Sequence, residues 1–575
     1  MSEDKRSSNA APFHLSRRET LPVLAGIFAA GVAGLPAAQA QGNAHELDAG
    51  ERIYNVRSWG AKGDGVTLDT VALQRAIDAC AADGGGTVLV PAGTFLTGAL
   101  ELKSNVTLRI VAAGKLLGSS HGGDYHPVDA IPLSGDSTLE DGNWALLYAV
   151  NAHNITIEGP GTIDGQGLQF HSPEHDVLPP SGVSGSRRPY HLLCYRCENL
   201  CVRSIDLLNS AYHSLRIVES RRIHMDGIYI HNRVNQNNDG FHFISCEYVM
   251  VTNCTVLSQD DACALFGSCR FVTVTNSTFS TRWSCFRFGG GVARDIAVSN
   301  CVLHQIFGCP IKFHGVPGSR FENLSFSNLI LDEVTGPISI SIGPREAKHA
   351  GSGPSPVDAV PDQPGEPAVA RNLSFSNIHG TVTTNPPQLP GFPFQSEYRP
   401  GELHSCITLN CVGDAILEKI SFENIHLTFG GGGKAEEAAR RTLPEVAGEY
   451  FVLGPMPAYA FYARNARALT LSNVRFEVAA PDLCPALIFD RVHDAAISGL
   501  SVEGNASAES VLRLIDTQQV LFTAPRLLGS AAAFLYLEGP DSSGIVVQGG
   551  DLTRAKQAVV LANRAPKNAI RLGAD

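Results

Sequence analysis

The sequence contains no run of basic residues and no basic helix, which argues against nucleic acid as its main partner. Charge is sparse, at 17% of residues, and its formal net is −12 with a pI near 5.9. Zinc spacing is missing too: Cys194, Cys197 and Cys201 have no second Cys/His pair, so they read as core thiols rather than metal ligands. Nor does the placement of the fourteen cysteines suggest a disulfide framework. Cys246, Cys254, Cys263, Cys269, Cys285, Cys301 and Cys309 lie mostly among apolar neighbours, where Cys behaves as a small core hydrophobe. What is present is bulk. A 575-residue chain that is 44% hydrophobic can bury a large core, and length alone suggests about three or four domains unless the chain is repetitive.

The first forty residues read as an address. Ser16-Arg17-Arg18 precedes an uncharged stretch from Leu21 to Ala38, and Ala38-Gln39-Ala40 is a small-x-small cleavage site. This resembles a twin-arginine (Tat) export signal, and implies a periplasmic or extracellular protein exported already folded from a reducing cytosol. The alternative is an uncleaved anchor, for which 18 residues are barely long enough. Residues 1–40 carry four basic and three acidic groups, so their removal takes the charge from −12 to −13. The expected domains are this signal and one domain over 41–575, monomeric and without stable membrane contact.

A short phrase recurs, with alternating apolar residues closed by Asn or Gly. Copies include Asn154-Ile-Thr-Ile-Glu-Gly159, Ile223-His-Met-Asp-Gly227, Val249-Met-Val-Thr-Asn253, Val272-Thr-Val-Thr-Asn276 and Ile296-Ala-Val-Ser-Asn300. Leu324-Ser-Phe-Ser-Asn328, Leu373-Ser-Phe-Ser-Asn377, Ile420-Ser-Phe-Glu-Asn424 and Leu469-Thr-Leu-Ser-Asn473 continue it. Closing positions 227, 253, 276, 300 and 328 are 26, 23, 24 and 28 residues apart. The later steps of 49, 47 and 49 residues read as about two coils each plus insertions. Period-two alternation predicts short strands with one buried face, and the repeat stacks each strand on its equivalent one coil later. Leucine-rich repeats and propeller blades do not fit the frame. The fold class is therefore all-β, a right-handed parallel β-helix.

Solenoids need covered ends. Leu73, Ala76, Ile77 and Cys80 fall at helical spacing within 69–82, with Asp69 as N-cap and Gly84-Gly85-Gly86 as stop, which predicts an N-terminal capping helix. Insertions interrupt the second half at 343–370, 386–401 and 430–457, the last with a candidate helix at Glu436–Arg441.

Tyr54 to Thr70, followed by Gly84-Gly-Gly-Thr-Val-Leu-Val-Pro91, resembles the first-coil segment of the pectate-lyase-like β-helix superfamily. The chemistry concentrates in Asn237-Asn238-Asp239-Gly240 and Gln259-Asp260-Asp261-Ala262. Asp239 lies 21 and 22 residues before Asp260 and Asp261, about one coil, and stacked strands are roughly 4.8 Å apart. Singly these are ordinary corner residues. Together they crowd three carboxylates on one face, which raises one pKa toward that of a general acid.

The pair resembles the Asn-x-Asp and Asp-Asp motifs of glycoside hydrolase family 28, the polygalacturonases and rhamnogalacturonan hydrolases. That resemblance implies an inverting acid/base glycosidase acting on an acidic, pectin-like poly- or oligosaccharide, without cofactor or metal. It implies Asp260 as general acid, and Asp239 and Asp261 as activators of water, beside Asn237. Where the family has Gly-His-Gly, this chain reads Arg282-Trp283-Ser284, and where it has Arg-Ile-Lys, Pro310-Ile311-Lys312. Lys312 then meets a carboxylate or hydroxyl of the sugar, Arg282 and Arg287 are candidates for the displaced positive charge, and Trp283 for a stacking face. Arg287 reads equally as an outward charge on a strand. His213 and His231 read equally as subsite or structural residues. Two other classes stay open: a polysaccharide lyase, holding calcium on the three Asp, and a non-catalytic carbohydrate-binding surface protein.

Overall fold

The alternating phrases place apolar side chains at every second position, and short strands burying one face are what such phrases form. In the computed structural model, which describes residues 52–128, 143–170, 188–344, 365–390, 392 and 398–573, they wind into parallel coils. The export segment read at 1–40 lies outside these residues, as does most of the first insertion. A coil beside the carboxylates consists of strands Phe241–Ile244, Glu247–Thr252 and Thr255–Ser258. One coil later, Phe241 pairs with Cys263, Val249 with Val272 and Thr255 with Thr278.

The first strand of each coil stacks into a 15-stranded front sheet, and the other two enter a 27-stranded sheet that wraps behind it. From Val292–Ile306 onward those two run as one long bent strand per coil, through Arg320–Val334, Val369–Val382, Ile416–Phe429 and Ala466–Val478. The architecture is a right-handed parallel β-helix.

Corners are made where the sequence closes each phrase. Asn253, Asn276, Asn300, Asn328, Asn377, Asn424 and Asn473 have φ between 52° and 57°, the left-handed region that Asn tolerates best after Gly. Their side chains form a ladder along the axis. Asn328 Nδ2 donates to Asn300 Oδ1 at 3.0 Å, Asn377 to Asn328 at 3.0 Å, Asn424 to Asn377 at 2.7 Å and Asn473 to Asn424 at 3.1 Å. This ladder corrects one expectation. The steps of 47 and 49 residues are single coils, since consecutive closing Asn touch, and each coil carries one of the three insertions.

Inside, Phe326, Phe375 and Phe422 stack at 5.3 and 4.9 Å, each from the same place in its phrase. All fourteen cysteines are free thiols, and all but Cys201 are buried. Helix Thr70–Ala82 lies over the first coil and buries Leu73, Ala76, Ile77 and Cys80. Asp69 stands at its N-cap position, but its carboxylate accepts from the amides of Lys62 and Gly63 at 2.7 and 2.9 Å. It secures the preceding turn and makes no side-chain cap. The third insertion holds two short turns of helix, Ala435–Ala438 and Tyr450–Leu453. Among the described residues no helix is long and apolar enough to cross a membrane.

Two insertions leave from one corner. The second runs between strands Val369–Val382 and Ile407–Cys411, the third between Ile416–Phe429 and Phe461–Arg464. That corner, just before the front-sheet strand, is where Asp239, Asp260 and Asp261 lie on earlier coils. The first insertion leaves the opposite end of its front-sheet strand, after Ile338–Ile342.

Candidate active site

Three buried polar residues end successive strands at this corner: Asn232, Ser258 and Thr281, each 0% exposed. Asn232 Nδ2 donates to the Asp239 carbonyl at 3.1 Å, while Ser258 Oγ and Thr281 Oγ1 donate to the Asp260 carbonyl at 2.8 and 2.6 Å. Asn238 is fully buried; its Oδ1 accepts from the amides of Val234 and Asn235, and its Nδ2 donates to the carbonyls of Ser210 and Tyr212. Because the corner backbone is bound to protein, the aspartate side chains are set in place before any ligand arrives. Gly240 N donates to the Asp261 carbonyl at 3.0 Å, so Asp239 and Asp261 occupy successive rungs, as the 22-residue spacing predicts.

Beside the corner runs an outward row of the front sheet: Arg216, His242, Ala264, Arg287 and Lys312 follow one another in register. Arg287 Nε lies 3.9 Å from Asp261 Oδ2. Arg287 is thus a charge on the functional face. Lys312, 2% exposed, has Nζ 4.8 Å from the Trp283 ring centre, so the cation and the candidate stacking face share one wall. Asp260 is half-buried at the corner, and burial first, then the charge of Asp261, push its carboxyl up to about 7 against the pull of Lys312. Burial raises Asp261 as well, opposed by Lys312 and Arg287.

The remaining expected residues take different places around this corner. Asn237 sits half-buried at the corner with φ 56°, its Oδ1 accepting from Arg188 at 3.3 Å. Arg282 is buried; it pairs with Glu402 at 3.4 Å and lies over the Tyr398 ring at 4.3 Å, tying the second insertion to the coil. His213 is buried beside Asp239, its Nε2 3.7 Å from Asp239 Oδ1. It is 1% exposed and stacks on His242 with ring centres 4.5 Å apart, and burial followed by His242 holds its pKa well below the ordinary value, leaving it neutral. His231 belongs to the second sheet, registered with Leu208 and Leu257, outside the cation row.

Two residues escaped the sequence reading. His242 Nδ1 is 2.8 Å from Asp239 Oδ2, and the signal was available: Phe241-His242-Phe243 repeats the pattern of Phe286-Arg287-Phe288. Glu449 had no signal. It comes from the third insertion, and Oε2 lies 3.0 Å from Lys312 Nζ while Oε1 lies 3.6 Å from Arg287 Nη2. Burial disfavours its charge, yet Lys312, then Arg287 and His314, hold its carboxyl down at about 2. As for metals, His213, Asp239 and His242 are the one set among the described residues whose ligand atoms lie within 4.8 Å of one another. The Asp239–His242 distance is that of a hydrogen bond. The three aspartates do not make such a set.

The chain is 31% identical over 340 residues to an exo-poly-alpha-D-galacturonosidase of Dickeya chrysanthemi, covering 48% of this chain and 56% of that protein. It is 31% identical over 354 residues to a polygalacturonase of Prunus persica, covering 58% and 80%. With a probable polygalacturonase of Vitis vinifera the match covers 43% of the relative, so the chain spans about half the length of the first two bacterial and grapevine relatives. A family 28 exopolygalacturonase of Yersinia enterocolitica has the same fold, with a TM-score of 0.53, 19% identity and 78% of each chain covered. Residues 80–388 match the family model of glycosyl hydrolases family 28, a span holding all three aspartates, Arg287 and Lys312 but not Glu449. On that match the chain belongs to glycosyl hydrolases family 28.

Proposed function

We propose that the protein hydrolyses glycosidic bonds in a pectin-type polysaccharide or oligosaccharide. The observation that carries this reading is the placing of two adjacent carboxyls, one of them within 3.9 Å of a cation. Burial and the charge of Asp261 push the Asp260 carboxyl up to about 7, while Lys312 and Arg287 oppose the upward push of burial on Asp261. Hydrolysis of a glycoside uses such a pair, one acid and one base. In this reading Asp260 gives its proton to the leaving glycosidic oxygen as the bond to the anomeric carbon breaks. Water attacks that carbon from the opposite face and loses its proton to Asp239 or Asp261, giving inversion. Lys312 and Arg287 bind the sugar, with Trp283 as a wall. The names of the relatives support a galacturonate-containing chain as substrate.

The test is Asp260→Asn, assayed for reducing ends released from polygalacturonan and rhamnogalacturonan. Loss of a general acid costs ~10²–10⁴-fold in rate. A folded variant keeping more than about a tenth of wild-type activity removes Asp260 from that role. Export belongs to the same proposal: Arg17-Arg18→Lys-Lys strands the precursor in the cytoplasm, and normal periplasmic recovery would refute the twin-arginine route.

A further inference from the structure

Glu449 has no task in the acid/base scheme, and it reaches the cations from outside the family-matched span. Its position is built. Tyr450, 3% exposed, donates its hydroxyl to the carbonyls of Ile338 and Cys406 at 3.1 and 2.7 Å. Its ring lies against Gly336, where a Cβ would come within 2.2 Å of it and where φ is 51°. Gly448 N donates to Ser341 Oγ at 2.9 Å and Ala447 N to the Pro344 carbonyl at 2.7 Å. Fully buried Arg464 holds the Leu443 and Pro444 carbonyls at 3.1 and 2.8 Å, and Asn410 holds that of Val446 at 3.0 Å. Ser341, Asn410 and Arg464 are themselves consecutive outward residues of the front sheet.

The consequence is a charge balance. Arg287 faces Asp261 at 3.9 Å and Glu449 at 3.6 Å, Lys312 faces Glu449 at 3.0 Å, and the two side chains are 9% and 2% exposed. Each of these two cations already has a carboxylate partner, Asp261 or Glu449, which leaves little of their charge for a third carboxylate. A uronate carboxylate brought here meets like charge at short range, in a place where water screens poorly. A hydroxyl meets the opposite case, because it can donate to Glu449 and accept from Lys312 or Arg287.

We propose that Glu449 determines specificity: the glycosyl residue seated on Arg287 and Lys312 is a neutral pyranose, read through its hydroxyls, and not a uronate. This rests on the hydrolase reading and narrows it to bonds next to a neutral sugar in a pectin-type chain.

Binding separates this proposal from the reaction. The probes are a galacturonate trimer and the same trimer with its carboxyl groups reduced to primary alcohols. Each is titrated calorimetrically into Asp260→Asn protein, alone and combined with Glu449→Gln or Glu449→Ala. The expected result is tighter binding of the reduced trimer by Asp260→Asn alone, and a gain of about tenfold or more in galacturonate affinity in both Glu449 variants. Preference for the galacturonate trimer while Glu449 is present overturns the proposal. So does a Glu449 variant, folded by circular dichroism, whose galacturonate affinity is unchanged or weaker. Turnover is read separately with Asp260 intact. A binding switch without release of any sugar from either trimer or from rhamnogalacturonan sinks the hydrolase reading and leaves the specificity standing.

Discussion

His242 Nδ1 lies 2.8 Å from Asp239 Oδ2, three residues apart on the two sides of Gly240. A charged acceptor at that distance fixes which imidazole nitrogen carries the proton and aims the carboxylate. The neutral His213 ring, stacked 4.5 Å away and 6° from parallel, keeps His242 from turning. His242 is thus a positioning residue for one of the two proposed bases. His242→Phe keeps the ring and removes the donor. The expected outcome is a fall in kcat of about 10²-fold with KM nearly unchanged, partly restored in His242→Asn, which keeps a short donor. Steady-state kinetics check it; a loss carried by KM alone would contradict it.

The pH profile carries a definite sign. Burial and Asp261 favour the protonated form of Asp260, so the acid is ready below about 7 and is lost above it. The alkaline limb of kcat/KM is expected near pH 7. Asp261→Asn removes a charge that raises this pKa and moves the limb down in whatever activity survives. Lys312→Met removes a charge that lowers it and moves the limb up. Movement in the opposite direction in either variant would assign the limb to another group.

We propose that long polymers meet a walled site. The second and third insertions leave the carboxylate corner; Glu402 grips Arg282, and the Phe451 ring stands 6.2 Å from Trp283. A groove closed at one end admits a chain terminus, so exo action is expected. One short product then accumulates from the first minutes while polymer viscosity falls slowly. A rapid viscosity drop with a ladder of oligomers means an open groove.

The asparagine ladder is a separate test of the scaffold. Asn328 has φ 54° and bonds along the axis to Asn300 and Asn377. Asn328→Ala places in the left-handed region a residue that tolerates it less well than Asn and removes both bonds, at a cost of about 1–2 kcal/mol. Asn328→Gly relieves the backbone term and is expected to cost less. Urea unfolding of the three proteins gives the order.

The repeat was legible because a β-helix needs the same local arrangement in every coil. Alternation at Leu324, Phe326 and their equivalents set the buried face, and Asn at each close set the corner, both properties of residues near in sequence. The spacing of Asp239 to Asp261 translated into adjacent rungs for the same reason. The steps of 47 and 49 residues misled because chain length does not distinguish a second coil from a loop, and only the contact of Asn377 with Asn328 separates them. Asp69 misled because an Asp before a helix can hold either the helix amides or the preceding turn, and tertiary packing chose Lys62 and Gly63.

Glu449 lies 137 residues from Lys312, in an insertion without the repeat, and no local pattern ties one to the other. What joins them is the seat under the loop, Gly336 beneath Tyr450 and Ser341, Asn410 and Arg464 beneath 443–448, drawn from three successive rungs of the front sheet. Local alternation thus determined the scaffold and the placing of its aspartates. The charge those aspartates and cations present to a sugar was decided by long-range packing, because Coulomb interactions depend on distance in space and not on separation along the chain.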